Sequence, residues 1–393
     1  MPAALLEATP TATEGVAAPV PAPRAGAAAE AAGLYAAHAE RSRTLHPDTA
    51  GALVEAGFAR QFVPRRLGGS GGTFTGLLHA VATVGERCAS AAWCGVLQAM
   101  HGRLAALLPE GAHADLWGAG PDVPIAAAVV PPAGELRPVD GGHLLTGRWE
   151  FASGVDHADW VLLASVLRTD GGAVQKVVAV PRRDVRVVDT WDGLGLRGTG
   201  SHSIAADGAF VPAHRMVDRD VMAAGWRGAG ADRCHGLPYP LVTSVLLAAP
   251  ALGAARGALR AWTEGALRRT TPQGTPLLDT GSAQDVLARS SAETDAAQLL
   301  LERAALRADL APLDDLPVAQ NQRDAAVALD MLVGAVERLL RHGGAHAQRS
   351  ASDLQRHWRD VHAVASHAAV QLAPAAAAYG RHVQAGWGGA AAA

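Results

Sequence analysis

The hydrophobic pattern divides the chain into three parts. From residue 28 to 122 apolar residues recur at helical spacing, and the run 77–108 is apolar on every side, which predicts a buried helix. From 123 to 219 short β-rich runs alternate with Gly, Pro and Asp turns, whereas 220–386 is again helical. The pattern therefore predicts an α+β protein with an N-terminal helical domain, a central antiparallel β-barrel or sandwich, and a C-terminal four-helix bundle.

Within the first helical part, the apolar spacing also predicts a shorter helix that begins at an N-cap aspartate. Asp48 precedes the apolar positions of residues 49–56, and Gly57 is expected to stop the helix. Residues 62–72 form a glycine-rich stretch that lacks the Gly-Lys-Ser/Thr end of a phosphate-binding loop. We expect that stretch to be a surface turn.

The two ends of the chain differ from the rest in composition. The first 27 residues are rich in Ala, Pro, Thr and Gly, and Leu5–Leu6 is too short for a signal-peptide core. They predict a disordered tail, and residues 387–393 predict a frayed one. No apolar run is expected to reach the roughly 20 residues that a membrane span requires.

Composition and charge narrow the function classes. The chain is 49% hydrophobic and 18% charged, with a formal net charge of -3, so we expect neither nucleic acid nor an anionic membrane as a partner. Cys88, Cys94 and Cys234 form no CxxC pair, which predicts reduced thiols in a cytoplasmic protein. The apolar bundle favours association with copies of the chain.

The most informative stretch is residues 147–166, where two strands flank a turn at Ser153–Gly154. Phe151 stands two residues before Ser153, at the mouth of the predicted sheet. An aromatic side chain there can pack on a flat ring while the hydroxyl bonds to the edge of that ring. The alternative is a hairpin with a core phenylalanine and a turn serine.

Other motifs are weaker. Residues 193–198 match the GxGxxG pattern, but a strand follows them where a dinucleotide-binding fold requires a helix, so we expect a loop. His357, His362 and His367 recur every five residues, which spreads them around a helix, and no metal site is predicted. His101 lies inside the apolar run and is either a core residue or a functional one.

Four segments in the expected order carry a family resemblance. With the helical, β and helical parts, they make the chain similar to the acyl-CoA dehydrogenase superfamily over about residues 28–386. The closer resemblance is to its two-component flavin-dependent monooxygenases, often called group D. The segments are 63–69, 149–160, 191–201 with 210–215, and 356–363 with His367.

The resemblance implies a hydroxylase that receives reduced flavin from a separate reductase. With O2 the flavin would form a C4a-hydroperoxide that oxidises a small apolar aromatic or indole-type substrate. Reduced FAD is the expected cofactor, and FMN stays open because Thr271-Pro272-Gln273 replaces a phenylalanine of the dehydrogenases. It also implies a β-barrel and a homotetramer built as a dimer of dimers.

The resemblance also assigns residues to the cofactor. Phe151 would lie against the isoalloxazine, and Ser153, beside Gly154, would bond near its N5 atom. A neighbouring subunit would reach the pyrophosphate and adenosine. The residues that correspond to that contact are Arg269, Gln284, Gly343 and Gly344.

His367 stands where straight-chain dehydrogenases carry a catalytic glutamate. The resemblance therefore implies that His367 removes a proton from the substrate and that His101 lines the same pocket. Arg359 and Asp360 would form an ion pair that holds the last helix. The pocket is expected along residues 93–107 and 237–247, with room for a bulky apolar molecule.

Two alternatives remain open at this point. One is an acyl-CoA dehydrogenase-type flavoenzyme whose base lies elsewhere, since no carboxylate occurs at residues 366–369. The other is a flavin-free homologue that retains the fold without catalysis.

Overall fold

A computed structural model describes residues 22–228, 230–312 and 318–391. Most of the tail predicted for residues 1–27 lies outside the described residues, but helix α1 (Ala25–Leu34) already begins within it. The prediction of a disordered segment is therefore wrong for residues 25–27, where buried Ala25 starts the helix. Helix α13 (Leu372–Ala391) extends into the segment 387–393, and the frayed end predicted there stays a prediction.

The first helical part contains six helices, and their starts differ from the sequence pattern. The predicted N-cap Asp48 is wrong, because His46 caps α3 and its Nδ1 accepts from the Asp48 amide at 3.2 Å. Pro47 takes the first helical position, which its fixed φ angle favours. The helices after α1 are α2 (Ala36–Ser42), α3 (Pro47–Glu55), α4 (Phe74–Gly85), α5 (Ala89–Ala105) and α6 (Glu110–Trp117).

The single helix predicted for residues 77–108 is wrong, because α4 and α5 are separate. Cys88 is extended, with φ of -154°, and precedes α5. The apolar residues on both sides of Gly85-Glu86-Arg87 suggested one helix, since both helices pack against the same core. The expected all-round burial holds for α5, where Leu97 is the one residue that is not buried. The glycine-rich stretch is also more enclosed than a surface turn, since Phe62 and Val63 are fully buried.

The central part forms one eight-stranded sheet with the order β6-β7-β3-β2-β4-β5-β8, and β1 pairs with β4. Its strands are β1 (Ile125–Ala128), β2 (Gly134–Val139), β3 (Gly142–Ala152), β4 (Trp160–Thr169), β5 (Gly172–Pro181), β6 (Arg186–Val188), β7 (His202–Pro212) and β8 (Met216–Asp218).

The prediction of a purely antiparallel sheet is wrong at two pairs. Strands β1 and β2 both run parallel to β4. For β2 and β4 the reason is the order of the strands. Strand β3 runs antiparallel to β2 on one side of it, and the chain then reverses once more and enters β4 on the other side of β2, so that β2 and β4 have the same direction. Among the described residues, the outer strands β6 and β8 do not pair with each other, so no pairing closes the sheet into a barrel.

The last part is helical, as predicted. Four long helices pack on one another, and α13 adds a fifth against one of them. The first helical part is not separate from this bundle, because α4 and α5 share one hydrophobic core with it. The proposed domain borders stay a prediction. The helices are α7 (Arg219–Ala224), α8 (Tyr239–Leu267), α9 (Gly281–Leu310), α10 (Val318–His342), α11 (Gly344–Ala347) and α12 (Asp353–Ala365), followed by α13.

Helix α8 corrects the expectation that no apolar run is long enough to cross a membrane. It has 29 residues, and its length and composition pass that test. However, 94% of its most apolar window is buried inside the protein. Such burial is typical of a core helix in a folded protein, and α8 is the central helix around which the others pack.

A buried carboxylate joins α9 to α10. Asp324 is 1% exposed and accepts hydrogen bonds from Arg303, Arg307 and Arg323, the shortest from the last at 2.6 Å. Next to it, the Asn321 amide donates to the carbonyls of Leu241 and Ala304. These polar groups fix the alignment of three helices.

We expect Asp324→Ala to lower the free energy of unfolding by about 3–5 kcal/mol, because it leaves three cations without their shared partner. Urea unfolding followed by circular dichroism measures this. Asp330→Ala, an exposed position on the same helix, is the matched control and should change stability by less than about 0.5 kcal/mol. Equal stability of the two variants would show that the network contributes nothing.

Candidate active site

The turn between β3 and β4 presents an aromatic ring to solvent. Phe151 is 67% exposed and has a φ angle of 61°, which is unfavourable for a bulky residue. Its ring meets Trp191 edge-on at 6.4 Å. The alternative of a core phenylalanine is wrong, since the core aromatic of this strand is Trp149, at 1% exposure. Backbone strain and an exposed apolar ring are both costly, and together they indicate a ligand-facing surface.

Ser153 follows on the buried side of the same turn. Its Oγ accepts from the indole N–H of Trp93 at 3.2 Å and lies 2.6 Å from the hydroxyl of Ser201. Gly154 has a φ angle of 74°, and its amide donates to the Thr199 carbonyl at 2.7 Å. The serine hydroxyl is therefore held by two elements, α5 through Trp93 and the residue before β7 through Ser201.

Trp93 also contacts the predicted base. The His367 ring lies 5.7 Å from the Trp93 ring, just after α12. Its Nδ1 accepts from the Ala369 amide at 3.1 Å, so the neutral ring carries its proton on Nε2. Desolvation by surrounding protein lowers the pKa of His367, although its side chain keeps an exposed face. The structure thus brings Ser153 and His367 into contact with the same indole.

His101 lies two helical turns beyond Trp93 on α5, on the same face of the helix. Its Nδ1 donates to the carbonyl of Ile125, at the start of β1, over 2.7 Å. Burial lowers the pKa of His101 to about 4, only partly opposed by that bond. The imidazole is therefore neutral near pH 7, with its lone pair on Nε2.

The loop of residues 193–200 is fixed from α12. The Leu196 amide donates to Asp360 at 2.7 Å, and burial raises the pKa of Asp360 to about 6 despite this bond. Arg359 pairs instead with Glu40 at 2.8 Å. The predicted ion pair between Arg359 and Asp360 is therefore wrong, because the two side chains leave the helix toward different elements.

The same loop confirms that the GxGxxG match is not a dinucleotide site. A short 3-10 turn spans Arg197–Thr199 and leads directly into strand β7. Gly195 is required for another reason, since a Cβ there would lie 2.2 Å from the Arg359 carbonyl oxygen. Its role is close packing of the loop against α12.

A second cluster contains the residues assigned to the distal end of the cofactor. Arg269 follows α8 and donates to the carbonyl of Gly343, after α10, at 3.0 Å. Gly344 adjoins this guanidinium and has a φ angle of 71°. The side-chain amide of Gln284 donates to the carbonyl of Leu278 at 3.1 Å, and Leu278 lies in the segment between Arg269 and α9. No hydrogen bond among the described residues joins this cluster to Ser153, so its role stays a prediction.

One cavity lies beside the middle of α5, and a second lies at its C-terminal end. The one behind the turn, lined by Ser153, Gly154 and Gln98, offers about 10 Å³, room for one water. The other holds about 510 Å³ and is lined by residues 106–110 with Trp226. This cavity shares only residues 106 and 107 with the predicted lining and is lined by neither Ser153 nor His367, and Leu237 and Leu241 of the second expected stretch are fully buried, so the substrate pocket stays a prediction.

The residues at the turn fit a flavin ring. An isoalloxazine has apolar faces and a rim of hydrogen-bonding atoms, and Phe151 and Ser153 supply a partner for each. Sequence reasoning placed Trp93 in the pocket lining but not beside Ser153, and it missed both Thr199 and Ser201 as members of the site. The last two are 46 and 48 residues from Ser153, and no spacing pattern marks them.

Comparison with known proteins agrees with this geometry. Residues 245–372 match the model of the acyl-CoA dehydrogenase C-terminal domain. The structure superposes on that of 3-HSA hydroxylase from Rhodococcus sp. RHA1 with a TM-score of 0.84 and 29% identity, covering 92% of this chain and 96% of the other. The XiaF structure from Streptomyces sp., in complex with FADH2 and glycerol, gives 0.82 and 26%, covering 90% and 91%. The fold is thus that of the acyl-CoA dehydrogenases.

Curated relatives define the family within that fold. The flavin-dependent monooxygenase oxygenase subunit HsaA of Rhodococcus jostii (strain RHA1) is 32% identical, with 84% of this chain and 89% of the relative covered. The FADH(2)-dependent resorcinol hydroxylase oxygenase component of Rhizobium sp. (strain MTP-10005) is 31% identical, with 84% and 85% covered. The chain belongs to the oxygenase subunits of the two-component flavin-dependent monooxygenases. This confirms the resemblance and favours neither the dehydrogenase nor the flavin-free alternative.

We expect the buried His101 to make stability depend on pH. Its pKa is about 4 in the fold and 6.5 ordinarily, so the unfolded chain binds more protons between these values. The free energy of unfolding should fall by up to about 3 kcal/mol as pH drops from 6.5 to 4.

The measurement is urea unfolding at a series of pH values. His101→Asn removes the contribution of this group and should reduce the slope without abolishing it, because burial also lowers the pKa of His357 to about 3. His382→Asn, at an exposed position, should leave the slope unchanged. A slope that His101→Asn does not alter would contradict the neutral buried imidazole.

Proposed function

We propose that this chain takes reduced FAD from a separate flavin reductase and uses O2 to hydroxylate the ring of a small apolar aromatic or indole-type molecule. The observation that carries the proposal is the meeting of Ser153, Trp93 and His367 beside the exposed ring of Phe151. Two relatives support FAD over FMN: the FADH(2)-dependent resorcinol hydroxylase and the XiaF complex with FADH2. Bound reduced flavin would supply the activation of oxygen.

The chain's own residues would orient the cofactor and keep water away from it. Phe151 would pack on the face of the isoalloxazine, and Ser153 would accept the hydrogen at its N5 atom. The Trp93 indole fixes the Ser153 hydroxyl from the buried side. Exclusion of water matters here, because activated oxygen otherwise leaves as hydrogen peroxide.

His367 would hold the oxygen or nitrogen of the substrate ring and take its proton. The ring is free to serve a substrate because its other contacts are Trp93 and the Ala369 amide. The Nδ1 atom of His367 accepts a hydrogen bond from the Ala369 amide. His367 must give up this bond before Nδ1 can take a proton from the substrate, at a cost of about 1 kcal/mol. A carboxylate that could remove the α-proton of an acyl thioester is missing at this position, where the sequence is Ser366-His367-Ala368.

The cluster of Arg269, Gly343 and Gly344 would serve the cofactor of a neighbouring subunit. Support comes from its position at the far ends of α8 and α10, with no bond to the Ser153 cluster in the described part of the chain. A homotetramer arranged as a dimer of dimers would place such ends beside another subunit's turn. The free, buried cysteines support a cytoplasmic location.

Ser153→Ala should raise the share of consumed oxygen that is released as hydrogen peroxide, by up to about tenfold, because one hydrogen bond at N5 is lost. The assay supplies reduced FAD through a reductase and measures peroxide and hydroxylated product together, with a phenol such as resorcinol as the probe. Ser165→Ala is the matched control, since Ser165 is a fully buried serine of β4 whose hydroxyl has no partner. Unchanged coupling in Ser153→Ala would remove Ser153 from the oxygen chemistry.

His367→Ala should reduce turnover by about 100-fold or more, the usual contribution of a general base, and most strongly below the pKa of the substrate. Above that pKa the substrate is already ionised and needs the histidine less. The measurement is kcat against pH for the variant, with His382→Ala as an exposed control. Equal loss at all pH values would contradict proton removal, and no loss would leave His367 outside the reaction.

A further inference from the structure

Three buried hydroxyls form a continuous chain behind the flavin-facing turn. Ser153 Oγ lies 2.6 Å from Ser201 Oγ, which lies 2.7 Å from Thr199 Oγ1. Thr199 Oγ1 in turn lies 2.8 Å from the carbonyl oxygen of Leu196. All three side chains are buried, at 9%, 5% and 2% exposure for Ser153, Ser201 and Thr199. Bulk water is therefore a poor competitor for these bonds.

The carbonyl at the end of the chain fixes the direction of every bond in it. A carbonyl oxygen only accepts, so Thr199 donates its single hydroxyl proton to Leu196. Ser201 must then donate to Thr199, and Ser153 must donate to Ser201. Because the Trp93 indole N–H only donates, Ser153 also accepts from Trp93. One lone pair on Ser153 Oγ remains, and its proton is already committed.

The two redox states of a flavin differ at the N5 atom. Reduced flavin carries a hydrogen there and needs an acceptor, whereas oxidised flavin has a bare nitrogen and needs a donor. We propose that Thr199 and Ser201 hold Ser153 as an acceptor, and that this arrangement makes the site select reduced over oxidised flavin. Thr199 and Ser201 are positioning residues, since they act through Ser153. The inference rests on the proposed placement of flavin N5 at Ser153.

The preference for reduced flavin can be estimated from the hydrogen bond that is lost when Ser153 acts as a donor to oxidised flavin. For Ser153 to donate to oxidised flavin, either Ser153 gives up its bond to Ser201, or the whole chain reverses and Thr199 gives up its bond to the Leu196 carbonyl; one buried hydrogen bond is lost in both cases. Loss of one buried hydrogen bond corresponds to roughly a tenfold change in an equilibrium constant. The loop cannot follow the reversal easily, because the Leu196 amide is held by Asp360.

The Leu196 carbonyl accepts from two further donors, the Thr199 amide and the Trp191 indole, both at 3.1 Å. It is thus a fixed point that remains in place when the Thr199 hydroxyl is removed. A substitution that deletes this hydroxyl should release the direction of the chain without releasing the loop. Thr199→Val has nearly the same shape and is suited to this purpose.

The test measures dissociation constants of reduced and oxidised FAD separately, by anaerobic and aerobic fluorescence titration of the purified full chain. The wild-type protein should bind reduced FAD at least about tenfold more tightly than oxidised FAD. In Thr199→Val and in Ser201→Ala the ratio of the two constants should shrink by roughly fivefold to tenfold, mainly through tighter binding of oxidised FAD. Thr199→Ser keeps the hydroxyl and should retain the wild-type ratio.

A merely structural role would weaken both redox states together and leave the ratio unchanged, and that result in either folded variant overturns the inference. So does a wild-type protein that binds the two states equally. If one variant fails to fold by circular dichroism, the other decides, because each breaks a different bond of the chain. Wild-type protein that binds neither form would instead overturn the proposed function itself.

Discussion

The hydrogen bond from the Trp93 indole to Ser153 is the contact on which the site depends. It joins α5, which is buried on nearly every side, to the turn between two strands of the sheet. The same indole also lies 5.7 Å from the ring of His367, which follows α12. Three distant parts of the chain thus meet at one rigid side chain. A rigid meeting point suits a reaction whose partners must be held close and kept from water.

Buried polar groups then fix the loops around this point. Asp360 holds Leu196, and the Gly154 amide holds the Thr199 carbonyl, so the loop and the turn cannot move independently. Burial of the Asp360 carboxyl is costly, as its raised pKa shows, and the bond to the loop offsets part of that cost. The left-handed backbone at Phe151 and Leu196 persists because these surrounding bonds determine it.

The sequence was sufficient for the order of helical and β-rich parts and for the position of Ser153. Turn residues and alternating strands are local signals, and they place Ser153 at a strand end without any tertiary information. The break at Cys88 was missed although Gly85, Glu86 and Arg87 interrupt the apolar run just before it, because the apolar residues on both sides were interpreted as one buried helix. Strand direction in the sheet was also missed, since it depends on which side of β2 the chain crosses.

The hydroxyl chain illustrates the same limit within the site. Thr199 and Ser201 stand in a segment that resembles a nucleotide-binding motif, and their true neighbour is 46 to 48 positions away. The partner of Asp360 was likewise misassigned to Arg359, its neighbour in sequence, because helix geometry sends adjacent side chains in different directions. Local pattern identifies the residue types of a site, and tertiary packing decides which of them touch.

The most direct measurement is a crystal structure of the protein grown anaerobically with reduced FAD. A flavin N5 atom within about 2.7–3.2 Å of Ser153 Oγ, with Phe151 against the ring face, is the expected result. A flavin seated elsewhere, or turned so that N5 faces away from Ser153, would contradict the central claim that this turn is the flavin-facing edge of the site.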